Sequence, residues 1–460
     1  MPHNAPFAQI ARIGVPRPMT SVSSAADQLS ANDPFIIKAY QLLAQNKLQE
    51  VATLLNEAQR NTPYDPRIFM LGARLAEQSD KPNEALEAME HATRLAPQWW
   101  PAQLEYGLLL ARLDRNAKAL EQAEKIFALE SRERMVLAGV IDIAVRCGDM
   151  AQAARYTEHA LTHYPSDPVL LMNLARTQFF SQQYEAALRS WSAVLEQEPA
   201  NMQARYGRLR TLLQMGRNDE ALQDAQQLLA HAPDDAVYRY FAQVAQGQTP
   251  PTQPVELQEE LFGGLARQYD LHMVRYLRYE LPQQTAAKIL EIFPDRRFNL
   301  LDLGCGTGLL GVCLGRIDGG MVGVDASESM IAQAARHHVY DKFHKVNLLD
   351  AVRDTPDALY EVIAALDVFP YVGDLQPVLG NVHRILQPEG FFFFSTEAAP
   401  EPGTDYALQA STGRYVHGRA YLERLLEQAG FALASIEEKT LRYEAGEPVA
   451  GFVVTAQKGR

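Results

Sequence analysis

Small apolar positions recur with one fixed period along the first half of the chain. Five alanines stand 34 residues apart: Ala85, Ala119, Ala153, Ala187 and Ala221. Prolines follow twelve residues behind four of these alanines, and Ser131 takes the fifth place: Pro97, Pro165, Pro199 and Pro233. Alanine lets two helices approach closely, and a period of this length is typical of stacked helical hairpins. The pattern predicts an all-α repeat domain with each proline in the first turn of the next unit.

These units resemble tetratricopeptide repeats. The resemblance rests on segments such as Glu84–Ala88, which leads to Pro97, and Glu185–Leu188, which leads to Pro199. It extends over residues 34–246 and implies a solenoid of paired helices. Because repeats of this kind usually hold partners, the resemblance is specific for a fold and much less so for a function.

Arginines recur at multiples of the same period. One row holds Arg74, Arg176 and Arg210, and a second row holds Arg112 and Arg146. By the resemblance, these positions belong to the first helix of each unit, which lines the concave surface. The guanidinium groups either pair with acidic residues of neighbouring units or form a groove for an acidic or carboxylate-bearing peptide, which arginine can bind through its fork of donors.

A different pattern begins near residue 298. The continuously apolar stretch Phe298–Leu303 predicts a buried strand, and Gly304, Gly306 and Gly308 after it predict a sharp bend open to a ligand. About 20 residues later, Met321–Asp325 predicts a second strand that ends in an acid, which can accept both hydroxyls of a ribose. The sequence therefore predicts a nucleoside site.

Leu309 helps to distinguish a dinucleotide cofactor from other nucleoside cofactors. A dinucleotide fingerprint needs glycine or alanine at this position, so a nicotinamide oxidoreductase is disfavoured. The pattern Asp302-x-Gly304-x-Gly306-x-Gly308 with a later Asp325 instead resembles the class I methyltransferases that bind S-adenosylmethionine. This resemblance implies an α/β Rossmann-like domain with a seven-stranded, mostly parallel sheet.

The methyltransferase resemblance also implies a set of cofactor contacts. Asp350 stands where the fold places the acceptor for the adenine amino group. The full set is Tyr269, Asp302, Gly304, Gly306, Gly308, Asp325, Ala326, Asp350, Ala351 and Ala365.

Four further segments resemble bacterial methyltransferases that carry tetratricopeptide repeats: Tyr269–His272, Asp367–Leu375, Thr412–His417 and Leu441–Val449. The family implies methyl transfer to an acceptor that is mostly unassigned. The alternative is an interaction scaffold in which the repeats act and the adenosyl-binding domain is a sensor or is inactive.

The acceptor determines whether a base is needed. A carboxylate is already ionised near pH 7, whereas an alcohol, phenol or ammonium must lose a proton. His272 and His417 are the candidate bases, since histidine titrates near neutrality, although either ring can instead be structural. Leu366–Phe369 replaces the Asp/Asn-Pro-Pro-Tyr motif of amino-group methylation in DNA. A small molecule or a protein side chain thus remains as the acceptor, with oxygen and nitrogen both open.

Composition limits the partners and the cellular compartment that we expect for the protein. The net charge of −13 disfavours nucleic acid as a partner. The three cysteines suit a reducing compartment, and no cysteine and histidine cluster suggests a metal site. Neither a signal peptide nor a stretch of about 20 apolar residues is apparent. We therefore expect a cytoplasmic protein without a membrane partner.

Breaks in the helical pattern predict the domain boundaries. Gly247–Pro254 interrupts the periodicity, and helical spacing returns between it and the first strand. We predict a flexible N-terminal tail over residues 1–30 and a tetratricopeptide-repeat domain over 31–246. A linker and helical lid follow over 247–297, and the methyltransferase domain occupies 298–460.

Overall fold

The computed structural model describes residues 32–263, 266 and 269–460. The chain divides into two compact units between Thr211 and Leu212. The predicted tail over residues 1–30 lies outside the described residues, and the predicted domain boundaries stay predictions.

The first unit is built from consecutive helices joined by short turns, which confirms the predicted all-α fold. The helices are α1 (Asp33–Ala44), α2 (Leu48–Asn61), α3 (Pro66–Gln78), α4 (Pro82–Leu95), α5 (Trp100–Arg112), α6 (Asn116–Leu129), α7 (Arg134–Arg146), α8 (Met150–His163), α9 (Pro168–Phe180), α10 (Tyr184–Gln197) and α11 (Met202–Gln214), the last of which runs across the division.

The periodic alanines occupy the helix contacts, as their spacing predicts. All five expose no surface: Ala85, Ala119, Ala153, Ala187 and Ala221. The periodic prolines differ from the prediction, because they lie in the turns between helices rather than in a first helical turn. Pro97, for example, comes two residues after α4 ends at Leu95. Proline is common at this distance beyond a helix because it cannot continue one.

The second unit holds two more helices, a connecting segment and an α/β domain. Its helices are α12 (Asn218–His231), α13 (Ala236–Ala245), α14 (Val255–Gly263), a π-helical turn (Leu271–Tyr276), α15 (Leu281–Ile292), α16 (Leu309–Leu314), α17 (Glu328–Ala334), α18 (Leu348–Asp354), α19 (Gln376–Ile385) and α20 (Arg419–Ala429), with short 3-10 turns at Ala335–His337 and Phe369–Tyr371. Its strands are β1 (Leu300–Leu303), β2 (Met321–Asp325), β3 (Lys342–Lys345), β4 (Tyr360–Ala365), β5 (Leu386–Glu397), β6 (Tyr406–Leu408), β7 (Tyr415–His417), β8 (Phe431–Glu444) and β9 (Glu447–Lys458).

Seven strands form one sheet in the order β3-β2-β1-β4-β5-β9-β8. The first five are parallel, and β9 lies antiparallel between β5 and β8. This confirms the predicted seven-stranded, mostly parallel sheet. Strands β6 and β7 form a separate antiparallel pair.

The central strands are mostly apolar because both faces of the sheet are covered. Leu301, Ile363 and Phe392 pack into a core on one face. Their neighbours in the chain, such as Leu300 and Val362, pack into a core on the other face. Successive side chains of a strand point to opposite faces, so a strand buried on both faces has no polar alternation.

The proline-rich segment between the helices and the sheet is bonded to the α/β domain. Thr252 forms an antiparallel bridge with Val372, and the amide of Gly373 donates to the carbonyl of Pro251 over 2.9 Å. The Tyr415 hydroxyl donates to the carbonyl of Pro250 over 2.7 Å. The segment that the sequence predicts as a linker therefore completes the loop that follows β4.

None of the helices in the described part of the chain is both long and apolar enough to cross a membrane.

Candidate active site

A cleft of about 630 Å³ opens at the carboxyl ends of β1, β2, β3 and β4. Ligands of open α/β sheets bind at this edge. The bend after β1, the residues after β2 and the residues after β4 form its floor and walls. Helix α14 and the residues that follow it contribute Gln258, Phe262 and Tyr269.

The glycine bend brings bare backbone to the cleft. Gly304 has a φ of +67°, and a Cβ there would lie 2.3 Å from the Cγ2 atom of Val368. Gly306 has a φ of +53°, and a Cβ there would meet nothing nearer than the Tyr269 ring, 4.0 Å away. The first glycine is therefore required by close packing, and the second leaves room for a ligand to approach the chain.

Asp325 holds the two loops of the site together. Its Oδ2 atom accepts the amide of Gly306 over 2.9 Å, and its Oδ1 atom accepts the amide of Ser327 over 2.8 Å. Burial raises the pKa of this carboxyl group, and the backbone donors oppose the rise. Asp325 and Ala326 both line the cleft, and their contact with a cofactor stays a prediction.

Asp302 lies behind the bend and does not line the cleft. It is buried, and the Tyr340 hydroxyl donates to its Oδ2 atom over 2.5 Å. The amide of Gly311 in turn donates to the Tyr340 oxygen over 3.2 Å. Burial raises the pKa of Asp302 to about 7, against the effect of the Tyr340 hydrogen bond. Through Tyr340, the Asp302 side chain is tied to α16, the helix that follows the bend.

Four other predicted cofactor contacts also lie outside the residues that line the cleft: Gly308, Asp350, Ala351 and Ala365. The Asp350 carboxylate pairs with the guanidinium group of Arg353 over 2.6 Å and accepts the side-chain amide of Asn347. The structure thus brings together half of the predicted set: Tyr269, Gly304, Gly306, Asp325 and Ala326. Contact of the other residues with a cofactor stays a prediction.

The two candidate histidines are both absent from the cleft lining. His272 is exposed on the π-helical turn. His417 is fully buried, its Nε2 donates to the carbonyls of Val372 and Gly373 over 3.0 Å each, and its Nδ1 accepts the hydroxyl of Thr396. These bonds give His417 a structural role, because both of its nitrogens are occupied.

His417 makes the folding stability sensitive to acid. Burial lowers its pKa from 6.5 to about 4, so between these values the unfolded chain binds a proton that the folded chain does not. Stability is complete above pH 6.5 and falls as the pH drops towards 4, by an amount on the order of 3 kcal/mol. We expect His417→Gln, which cannot titrate, to lose less stability between pH 7.5 and 5 in urea unfolding. An equal loss in both proteins would contradict this.

A largely buried carboxylate that the sequence did not single out lies in the cleft. Asp367 follows β4 with a φ of +58°, and its amide donates to the Ser395 hydroxyl over 2.9 Å. Its side chain is 14% exposed and pairs with Arg442 over 2.5 Å. Burial raises its pKa to about 6 although Arg442 opposes the rise.

Asp367 belongs to a network of five charged side chains. Arg442, which is 4% exposed, also binds the carboxylates of Glu397 and Glu444. Arg414 pairs with the same two acids, each over 2.8 Å. The partners come from β4, β5, β8 and the approach to β7, so only the fold brings them together.

Three aromatic rings border the same part of the cleft. The Phe262 ring lies edge-on to Tyr371, with centroids 5.4 Å apart, and to Tyr269, with centroids 6.2 Å apart. The residue after Tyr269, Asp270, accepts the hydroxyl of Thr307 in the glycine bend. The predicted lid segment is thereby tied to the loop that it covers.

Comparison with known proteins agrees with this architecture. A family model described as a methyltransferase domain matches residues 273–436, and one described as a tetratricopeptide repeat matches residues 181–243.

Among curated proteins, the chain is similar to ubiquinone biosynthesis O-methyltransferases. It is 30% identical to the mitochondrial protein of Bos taurus over 22% of this chain and 30% of that protein. It is 31% identical to the Shewanella sp. (strain ANA-3) protein over 27% of this chain and 52% of that protein. The chain therefore spans about half or less of the length of these relatives.

Two solved structures are each similar to part of the chain. Pseudomonas aeruginosa pilF matches at 17% identity and a TM-score of 0.38, over 48% of this chain and 99% of that chain. A Burkholderia thailandensis 1,6-didemethyltoxoflavin-N1-methyltransferase, solved with S-adenosylhomocysteine, matches at 20% identity and a TM-score of 0.36, over 46% of this chain and 93% of that chain. The two family matches and the seven-stranded sheet together show that the chain carries tetratricopeptide repeats and a methyltransferase domain.

Proposed function

We propose that this protein is an enzyme that transfers a methyl group from S-adenosylmethionine to an oxygen or nitrogen of a small molecule or of a protein recruited by its repeats. The observation that carries the proposal is the joint between Asp325 and Gly306, 2.9 Å long, at the edge of the cleft. It places a buried carboxylate and a bare stretch of backbone beside one another, as a ribose and an amino-acid tail require.

The residues of the cleft fit this cofactor. Asp325 would accept the ribose hydroxyls, and the backbone at Gly304 and Gly306 would lie along the methionine tail. An apolar wall for the adenine ring would come from Met330, Val346 and Leu348. When bound, the cofactor supplies a methyl group that its sulfonium has already activated. The chain's task is then to orient the acceptor and exclude water, and the three aromatic rings at the mouth of the cleft serve to exclude it.

Calorimetry with the full chain tests the proposal. We expect S-adenosylmethionine and its demethylated product to bind in the micromolar range, and NADH to show no binding. If neither form of the adenosyl compound binds, or if NADH binds in their place, the proposed function is wrong.

The repeats would recruit a partner through one periodic arginine that has no ion pair with the described residues. Most of the periodic arginines are neutralised: Arg74 pairs with Glu105, Arg112 with Glu77, and Arg146 with Asp142, at 2.7–2.9 Å. Arg210 stacks on the rings of Phe179 and Tyr206.

Arg176 differs from these arginines. It is exposed and has no ion pair with the described residues. It borders a groove of about 510 Å³ together with apolar side chains that include Ile141, Val145 and Phe180. We therefore propose that a peptide with an acidic residue beside an apolar one binds there, through the guanidinium fork.

Replacement of Arg176 by glutamate should weaken the binding of such a peptide at least tenfold. Peptides selected from a random library on the full chain would supply the ligands, and fluorescence polarisation would measure affinity. Arg60→Glu, an equal charge change at an exposed site at the end of α2, should alter affinity less than twofold. Selection of basic peptides, or equal binding by Arg176→Glu, would contradict the proposal.

A further inference from the structure

We propose that Asp367 faces the methyl acceptor as its base, and that the acceptor is an amine that binds as its ammonium ion. This inference rests on the proposed methyl transfer and names the substrate class of the same cleft. It replaces both candidate histidines with a carboxylate.

The charge of the cleft selects against anions. Among the described residues that line it, the groups that can carry charge near neutral pH are Asp325 and Asp367, and none is lysine, arginine or histidine. A carboxylate or phosphate acceptor would bring a third negative charge into the same space, and no cationic side chain among these lining residues would meet it. Like charges repel more strongly where the protein excludes water than they do in solution. An ammonium ion would be attracted instead.

The network behind Asp367 adds to this preference. It contains three carboxylates, on Asp367, Glu397 and Glu444, and two guanidinium groups, on Arg414 and Arg442. Three negative and two positive charges leave the network with a net charge of −1. Asp367 is the member that lines the cleft, so an ammonium ion bound there would complete the balance.

Tyr269 and Tyr371 provide the remaining contacts. Both rings line the cleft. Burial raises the pKa of each phenol, and the charge of Asp367 adds to the rise. Neither hydroxyl makes a hydrogen bond with the described residues. Two phenol oxygens and the aromatic faces can therefore receive the N–H groups and the charge of an ammonium ion, since cations are attracted to such faces.

Asp367 is suited to remove the proton. The acceptor R–NH₃⁺ would give one proton to the Asp367 carboxylate and become R–NH₂. The nitrogen lone pair then forms the N–C bond to the methyl group, and the C–S bond of the sulfonium donor breaks with its electron pair left on sulfur. Asp367 afterwards releases its proton to water. A carboxyl group with a pKa of about 6 is a stronger base than an ordinary aspartate and is still ionised at pH 7.5.

Binding of matched probes tests the charge preference without catalysis. The probes are phenethylammonium, 4-ethylphenol and 3-phenylpropionate, which share a ring and differ in the polar group. We expect calorimetry on the chain saturated with S-adenosylhomocysteine to show at least tenfold tighter binding of the ammonium probe. Asp367→Asn should remove that preference. The absence of any preference for the ammonium probe overturns the inference.

Label transfer tests the chemistry. The chain is incubated with methyl-tritiated donor and a cell lysate that has been divided into two halves. In one half the amines are acetylated, and hydroxylamine then removes the acetyl esters that also formed on phenols. We expect label only in the untreated half. Label in both halves overturns the amine acceptor, whereas no label in either half, or no donor binding, overturns methyl transfer itself.

Two variants assign the role of the carboxylate. Asp367→Asn should lower label transfer at least 100-fold and leave the affinity for S-adenosylhomocysteine within threefold. Asp405→Asn, which removes an exposed carboxylate paired with Arg424, should leave both unchanged. A tenfold loss of product affinity in Asp367→Asn with turnover intact would make Asp367 a cofactor ligand and overturn its role towards the acceptor.

Discussion

Asp325→Asn is expected to weaken the binding of S-adenosylmethionine about 100-fold. The carboxylate can accept two ribose hydroxyls, and each charge-assisted hydrogen bond is worth roughly 1.5–3 kcal/mol. Its oxygens also accept the amides of Gly306 and Ser327. An asparagine amide cannot serve all of these donors, so the variant loses both ligand bonds and the shape of the bend. Calorimetry would measure the loss.

Asp350→Asn is the matched control for this experiment. Asp350 is also a predicted cofactor contact, at the adenine amino group rather than the ribose, but its carboxylate pairs with Arg353 and does not line the cleft. We expect its replacement to change the affinity less than threefold. If Asp350→Asn costs more than Asp325→Asn, the adenosine lies elsewhere than the cleft geometry indicates.

Arg442→Met is expected to destabilise the α/β domain by about 3–5 kcal/mol, as removal of one partner from a buried ionic network does. The guanidinium group binds Asp367, Glu397 and Glu444. Without it, Arg414 is the one cation left to the three acids, and Asp367 has no ion pair. Urea dependence of hydrogen exchange in β5 and β8 would measure the loss in this domain alone.

Two comparisons separate this network effect from a general one. Arg419→Met removes an exposed pair with Glu423 on α20 and should cost less than about 1 kcal/mol. Adding Glu397→Gln to Arg442→Met should restore part of the stability, because one uncompensated carboxylate disappears. Additive losses in the double variant would show that the network is not coupled.

Much of the fold was predictable because its signals are local or periodic. Each periodic alanine contacts the neighbouring helix at an equivalent place, so one spacing predicts the whole helical half. Asp325 and the glycines could also be predicted from the sequence, since a strand end and the bend beside it are adjacent in the chain and restrict each other's residue types. The predicted second strand, Met321–Asp325, matches β2 at both ends.

The rest of the site depends on contacts between distant segments. Asp367 pairs with Arg442 across 75 residues of sequence, and no spacing rule links the end of β4 to the end of β8. His417 seemed suited to chemistry because histidine titrates near neutrality, but the carbonyls of Val372 and Gly373 that occupy it lie 45 and 44 residues away. Side-chain type indicates what a residue can do, and only the fold decides which residue faces the ligand.

The bonds between the proline-rich segment and the loop after β4 bear on how the catalytic part can be isolated. The family match begins at residue 273, yet Thr252 and Pro251 pair with Val372 and Gly373, next to Tyr371 at the cleft. A fragment that begins at residue 273 would lack Pro251 and Thr252, and the amide of Gly373 would then face water. An expression fragment of the α/β domain should accordingly start before Pro250.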